Sequence, residues 1–181
     1  MRQNIPNMLL IAGTGRKSGK TTLACACIAH FSKQTGIYAI KISPHTHDDE
    51  GLTTEIARET NYRLYEEYSG ERKKDSSRML RAGAVRSFYV ESADENLPKA
   101  LGLLFITIPR DAPVICESPG LIDFVEPGIL VIADHEKVKN RKKNILQKIN
   151  LADFIFDITR EEPESIAEAI AFADGVWGKI R

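Results

Sequence analysis

Ten residues near the amino end carry the strongest chemical signal: Gly13-Thr14-Gly15-Arg16-Lys17-Ser18-Gly19-Lys20-Thr21-Thr22. Glycines let a backbone fold around an anion with its N–H groups turned inward. A helix starting just after them adds unpaired N–H groups and the positive end of its dipole. Lys20 can set an ammonium between two phosphates, and the Thr21 hydroxyl can be a ligand to Mg²⁺. Together these features describe a phosphate cradle of the Walker A type, a P-loop. The spacing departs from G-x-x-x-x-G-K-[ST]. Position 14 is Thr, the first glycine is Gly13, and the run reads G-x5-G-K-T with Gly15 inside it. Arg16 and Lys17 add two cations, which either touch phosphate or stay solvated. All ten residues are nucleotide-binding candidates, and Lys20 is also a catalytic one.

Such a cradle works with a carboxylate at a neighbouring strand end, which holds Mg²⁺ or orients a nucleophile. The run Pro113–Gly120 (PVICESPG) delivers Glu117 in that position, making it the second catalytic candidate and, with Thr21, a metal ligand. Gly120, three residues on, offers a backbone N–H for the terminal phosphate. Lys41-Ile-Ser-Pro-His45-Thr-His47-Asp48-Asp49 follows another apolar run and belongs at the same sheet edge. Lys41 can reach a phosphate or an anionic partner. Asp48 is a further metal-ligand candidate. His45 and His47 either bind a metal or ligand or are plain solvent-exposed residues. Cys25, Cys27 and Cys116 read as packing residues. His30 and His135 take no role.

The elements that must position these groups alternate. Met8–Ala12 (MLLIA) predicts a buried parallel strand, Lys20–Lys33 a helix with Leu23, Ala24, Cys27, Ile28 and Phe31 inward, and Ile37–Ile42 a second strand. Residues 43–75 read as an excursion from the core, with a helical turn near Leu52–Arg58 and a strand in YRLYEEY. Asp75–Gly83 predicts a short helix, Val85–Glu91 a strand and Asp94–Ile108 a helix. Strands follow at Pro113–Cys116 and Gly128–Ala133, then a basic helix over Glu136–Ile149, a strand at Phe154–Ile158 and a final helix over Pro163–Phe172. Strands alternating with helices predict an α/β fold, a mostly parallel central sheet between two helical layers. The whole chain, 1–181, reads as one nucleotide-binding domain.

Composition agrees. The chain has 181 residues, 43% of them hydrophobic, enough for one well-filled core. With 25 basic and 25 acidic residues it carries no net charge, which argues against nucleic acid as a partner. No apolar run approaches the ~20 residues of a membrane span, and the amino end lacks the pattern of a secretory signal. Three cysteines are too few for a disulfide framework and fit a cytoplasmic setting.

Four segments together carry a likeness. They are the Gly13–Thr22 loop; Lys41 followed by His45, His47 and Asp48; Lys74-Asp75-Ser76-Ser77-Arg78 leading into Arg81-Ala82-Gly83-Ala84; and Glu117 ending an apolar strand. In order and spacing the chain resembles the molybdopterin-guanine dinucleotide biosynthesis protein B family across roughly residues 8–135. These are small P-loop NTPases. The resemblance implies a three-layer P-loop fold, GTP with Mg²⁺, slow hydrolysis, a homodimer, and a partner enzyme that attaches a nucleotide to molybdopterin. It also implies that Asp75, Ser76 and Arg78 lie near the nucleotide. From the residues alone Asp75 is equally a helix cap and Arg78 a surface cation. The family's acidic strand ends in Glu-Gly, whereas in this chain it reads Glu117-Ser118-Pro119-Gly120. The loop spacing and Lys41 are instead similar to dethiobiotin synthetase, which implies an ATP-dependent ligase or kinase acting on a small carboxylated substrate. A nucleotide switch without meaningful catalysis, moving through 43–71, is a third reading. No Asn/Thr-Lys-x-Asp run fixes the base as guanine; Asp157 and Thr159, beyond the fifth strand, could contact a base.

Overall fold

The computed structural model describes residues 2–44, 53–139, 141 and 143–180. An eight-stranded mixed sheet forms the centre. In chain order its strands are β1 (Gln3–Gly13), β2 (Tyr38–Ser43), β3 (Thr53–Arg58), β4 (Tyr62–Glu67), β5 (Arg86–Ser92), β6 (Val114–Glu117), β7 (Val125–Ala133) and β8 (Phe154–Phe156). Across the sheet they run β3-β4-β5-β2-β6-β1-β7-β8. The six from β5 to β8 are parallel; β4 and β3 join antiparallel at one edge.

A parallel strand covered on both faces must be apolar on both, and β1 shows it. Leu9 and Ile11 enter one core with helix α1 (Lys20–Phe31), and Met8, Leu10 and Ala12 enter the other. All five inward positions expected of α1 are buried. Helices α2 (Asp75–Arg81) and α5 (Glu164–Glu168) share α1's side through Met79, Ile166 and Ala167, while α3 (Leu97–Leu104) and α4 (Lys143–Leu146) pack the opposite face through Leu97, Leu101 and Ile145. The fold is therefore α/β, with helices flanking a large, mostly parallel sheet. Among the described residues no helix is long and apolar enough to cross a membrane.

Several expectations are corrected. The turn expected near Leu52–Arg58 is strand β3 over its described part, and β4 buries Leu64 and Tyr65. Residues 53–67 thus extend the main sheet instead of leaving the core, because Tyr65 pairs with Tyr89 of β5 and stacks on it. The long basic helix over Glu136–Ile149 is reduced to the four residues of α4. Like charges at Lys137, Lys139, Arg141 and Lys143 repel along one segment, and Arg141 reaches back to Asp134 instead of continuing a helix. The final helix stops at Glu168, and Ile170–Ala173 and Val176–Lys179 form a hairpin, β9 and β10. Its turn is Asp174-Gly175, both at positive φ (52° and 76°), the backbone that a two-residue hairpin loop requires. Aromatic packing rewards the hairpin: Trp177 is buried, with its ring 4.7 Å from Phe31 and 5.0 Å from Phe172.

Strands β1 and β7 run longer than their apolar centres because they pair from Gln3–Val125 onward, with an irregularity between Ile5 and Leu9. There the Pro6 carbonyl crosses close over Gly128, and the Trp177 carbonyl stands 2.9 Å from where a Cβ would be. Both neighbours are backbone, so neither can swing away. Gly128→Ala is expected to cost about 1–3 kcal/mol, read as a lower urea midpoint with an unchanged slope.

Candidate functional site

The C-terminal ends of β1, β2 and β6 lie side by side, with Ile11 and Lys41 both in register with Glu117. Ligands of open α/β sheets bind beyond this edge. The glycine-rich loop leaves β1 at this edge and enters α1 through Gly19, at φ 92° in the left-handed region that glycine tolerates. A Cβ there would stand 3.0 Å from Ile158. Gly19, the N-cap residue, offers no side chain to cap this helix end. Gly13, Thr14, Gly15 and Ser18 are buried, whereas Arg16, Lys17 and Thr22 are exposed. Lys20 folds over the loop, its Nζ donating to the Gly15 carbonyl at 2.7 Å and to Ser18 Oγ at 3.2 Å.

Five side chains from four distant segments meet beside the loop. Thr21 Oγ1 donates to Glu117 Oε2 at 2.8 Å. Lys41 Nζ pairs with Glu117 Oε1 and, at 2.8 Å, with Asp75 Oδ2. Arg78 Nη1 stands 3.4 Å from Asp75 Oδ1. Glu117 is 1% exposed. Thus Lys20, Thr21, Lys41, Asp75, Arg78 and Glu117 are gathered at one edge, as their common candidacy requires. Asp75 begins α2 without capping it, since its carboxylate is turned to Lys41. Buried Ser76 donates to Glu67 Oε2, and Ser77 to the Ser69 carbonyl, which anchors the helix start that presents Asp75. Gly120, three residues past Glu117, lies in a buried turn against Asp94 and Leu97. Asp48, with His45, His47 and Asp49, lies outside the described residues.

The electrostatics follow from these contacts. Burial alone would raise the Asp75 carboxyl, but the Lys41 ammonium, with Thr21 and Arg78, holds it below the usual carboxylate range. Burial also works against the Lys41 charge; Glu117 and Asp75 outweigh it and raise Lys41 above its ordinary value. A lowered carboxyl contributes stability that is present above its unfolded-state value, about 4, and lost as pH falls through its folded-state value. The melting-temperature gap between wild type and Asp75→Asn is therefore expected to be largest near neutral pH and to close below about pH 4. A gap that stays constant down the acid range would show that the pair contributes nothing. Burial also pushes the Cys27 thiol up to about 12 and raises Cys116, as suits packing residues.

Two residues at this edge escape sequence reasoning. Asp134, the first residue after β7, accepts from Thr14 Oγ1 and from Arg141. His135 Nε2 stands 3.3 Å from the Lys17 carbonyl. A signal exists for the first: GILVIAD is an apolar strand ending in a carboxylate, the same pattern that marks Glu117. Asp157, the base-contact candidate, accepts from the Thr159 N–H at 2.9 Å and hydroxyl at 2.6 Å, next to the Ile158 that packs on Gly19.

Among the described residues no group of three or more His, Cys, Asp or Glu is placed to hold a metal ion. A metal at this edge would draw on the Thr21 hydroxyl, Glu117 and ligand oxygens. Comparisons with protein-family models, with curated proteins and with solved structures return no match.

Proposed function

We propose that the protein is a P-loop NTPase that binds a Mg²⁺–nucleoside triphosphate and hydrolyses it slowly. We further propose that GTP is the preferred nucleotide and that the protein acts, as a homodimer, on behalf of an enzyme attaching a nucleotide to molybdopterin. One observation carries the phosphate-site reading: the 2.8 Å contact of Thr21 Oγ1 with Glu117 Oε2, beside the Lys20 loop. A hydroxyl and a carboxylate oxygen side by side are hard oxygen donors of the kind Mg²⁺ takes, so Thr21 and Glu117 would hold the ion. When bound, Mg²⁺ neutralises charge developing on the phosphates.

The chain's own groups do the rest. The Lys20 ammonium and the first-turn amides of α1 hold phosphate oxygens. Glu117, which faces Thr21 on one oxygen and Lys41 on the other, orients water at the cradle. Asp75 holds Lys41 in place. Arg78 and Arg141 are engaged by Asp75 and Asp134, and Arg16 is exposed on the loop. The two paired guanidiniums are held by carboxylates, which supports slow turnover. Lys41 stands between two of the protein's own carboxylates, which weighs against a ligase reading in which it receives a substrate carboxylate.

Calorimetric titration with GTP, ATP and their diphosphates, with and without Mg²⁺, tests this. Mg²⁺-dependent triphosphate binding, tighter for GTP, is the expected result. Absence of any triphosphate binding overturns it.

A further inference from the structure

The glycine loop is one residue longer than G-x-x-x-x-G-K-[ST], and the geometry points to how the extra residue is absorbed: Thr14 is a positioning residue, tied by its hydroxyl to Asp134, that sets the register of the phosphate cradle. This rests on the phosphate-site reading and deepens it.

Strand β1 ends at Gly13, paired with Ala133. Thr14 carries the pairing one step further. Its N–H donates to the Ala133 carbonyl at 3.1 Å, and its hydroxyl donates to Asp134 Oδ1. Thr14 is fully buried and Asp134 is 7% exposed, so the bond lies in a low dielectric where it is hard to replace with water. Asp134 is itself fixed at both ends. Its N–H donates to the Phe156 carbonyl at 2.9 Å, and Arg141 grips both carboxylate oxygens, with Nε 3.0 Å from Oδ1. Thr14 therefore behaves as the last strand residue and not as part of the loop. What remains between it and Gly19 is Gly15-Arg16-Lys17-Ser18. That is four residues, the same number that separates the glycines of the shorter motif.

The next residue, His135, meets the loop at a second point. Its Nε2 lies 3.3 Å from the carbonyl of Lys17, which sits at φ 60°. A non-glycine residue in the left-handed region needs its surroundings to hold it there. Consecutive residues after β7 thus hold the start and the middle of the loop. Lys20, whose ammonium reaches back to the Gly15 carbonyl, depends on that placement. A cradle works by presenting amides at fixed positions, so slack of one residue should loosen the grip on phosphate even with every amide present.

The test compares the full-length wild type with Thr14→Val, Thr14→Ser and Asp134→Ala, titrated with Mg–GTP and Mg–ATP. Valine matches threonine in shape and removes the hydroxyl, whereas serine retains it. Thr14→Val and Asp134→Ala are expected to bind at least 10-fold more weakly, and Thr14→Ser within 2-fold of wild type. The double variant Thr14→Val/Asp134→Ala should be no weaker than the weaker single, since both remove one bond. Nucleotide-free melting of Thr14→Val and Thr14→Ser should agree within a few degrees, separating loop placement from general damage. If wild type binds and Thr14→Val binds equally well, this inference fails while the phosphate site stands. A Thr14→Ser variant as weak as Thr14→Val likewise overturns it. If wild type binds neither triphosphate, the phosphate-site reading itself falls.

Discussion

Lys20→Ala is expected to weaken Mg–triphosphate binding by about 100-fold or more, the largest effect of any single substitution proposed. The ammonium reaches over the loop to Gly15 and Ser18, within the cradle formed by the loop and the start of α1. Each charge-assisted bond it makes to a phosphate oxygen is worth ~1.5–3 kcal/mol, and two such bonds together reach or exceed the ~2.7 kcal/mol of a 100-fold change. The cost to the fold should be small. Among the partners Lys20 leaves behind are a loop carbonyl and a hydroxyl, and the hydroxyl can rotate to another acceptor. Equilibrium binding by calorimetry and melting without nucleotide measure the two effects separately. Undiminished binding by Lys20→Ala would move the phosphate site away from this loop.

Glu117→Gln is the second large effect, and its signature is selective. The carboxylate is almost wholly buried and accepts from Thr21 on one oxygen and from Lys41 on the other. Glutamine can keep its oxygen toward Lys41 and turn its NH₂ to the Thr21 hydroxyl, which then accepts instead of donating, so the contacts persist only without the carboxylate charge. Lys41 retains Asp75, which limits the stability loss to about 1–3 kcal/mol. Binding measured without Mg²⁺ should survive. The gain from adding Mg²⁺ should disappear, and hydrolysis should fall by about 10²-fold, a typical cost of losing one group that acts on the reacting centre. If the variant hydrolyses and responds to Mg²⁺ like wild type, Glu117 is only a strand terminus with a good hydrogen bond.

Much of the architecture is legible along the chain because periodicity reports burial. MLLIA, apolar at every position, fits a strand covered on both faces, and α1 shows five inward residues at helical spacing. Where local signals compete, the reading goes astray. ESIAEAIAFA continues a helical pattern, yet Asp174-Gly175 is a strong hairpin signal, and burial of Trp177 settles the contest. Residues 136–149 repeat apolar positions at helical intervals, but dense positive charge and the pull of Asp134 on Arg141 shorten the helix.

For the site, residue type and local spacing determine that an anion cradle can exist between Gly13 and Thr22, since the needed backbone freedom, helix start and cation are all neighbours in the chain. They also mark Glu117, because a carboxylate ending a buried strand is a local pattern. What they leave open is which charges meet. Lys41 lies 34 positions from Asp75 and 76 from Glu117, and Thr14 lies 120 from Asp134. Those meetings follow from the strand order β5-β2-β6-β1-β7, which brings five strand ends to one edge and stacks α2 beside α1. Electrostatic pairing depends on distance in space, and the strand order sets that distance.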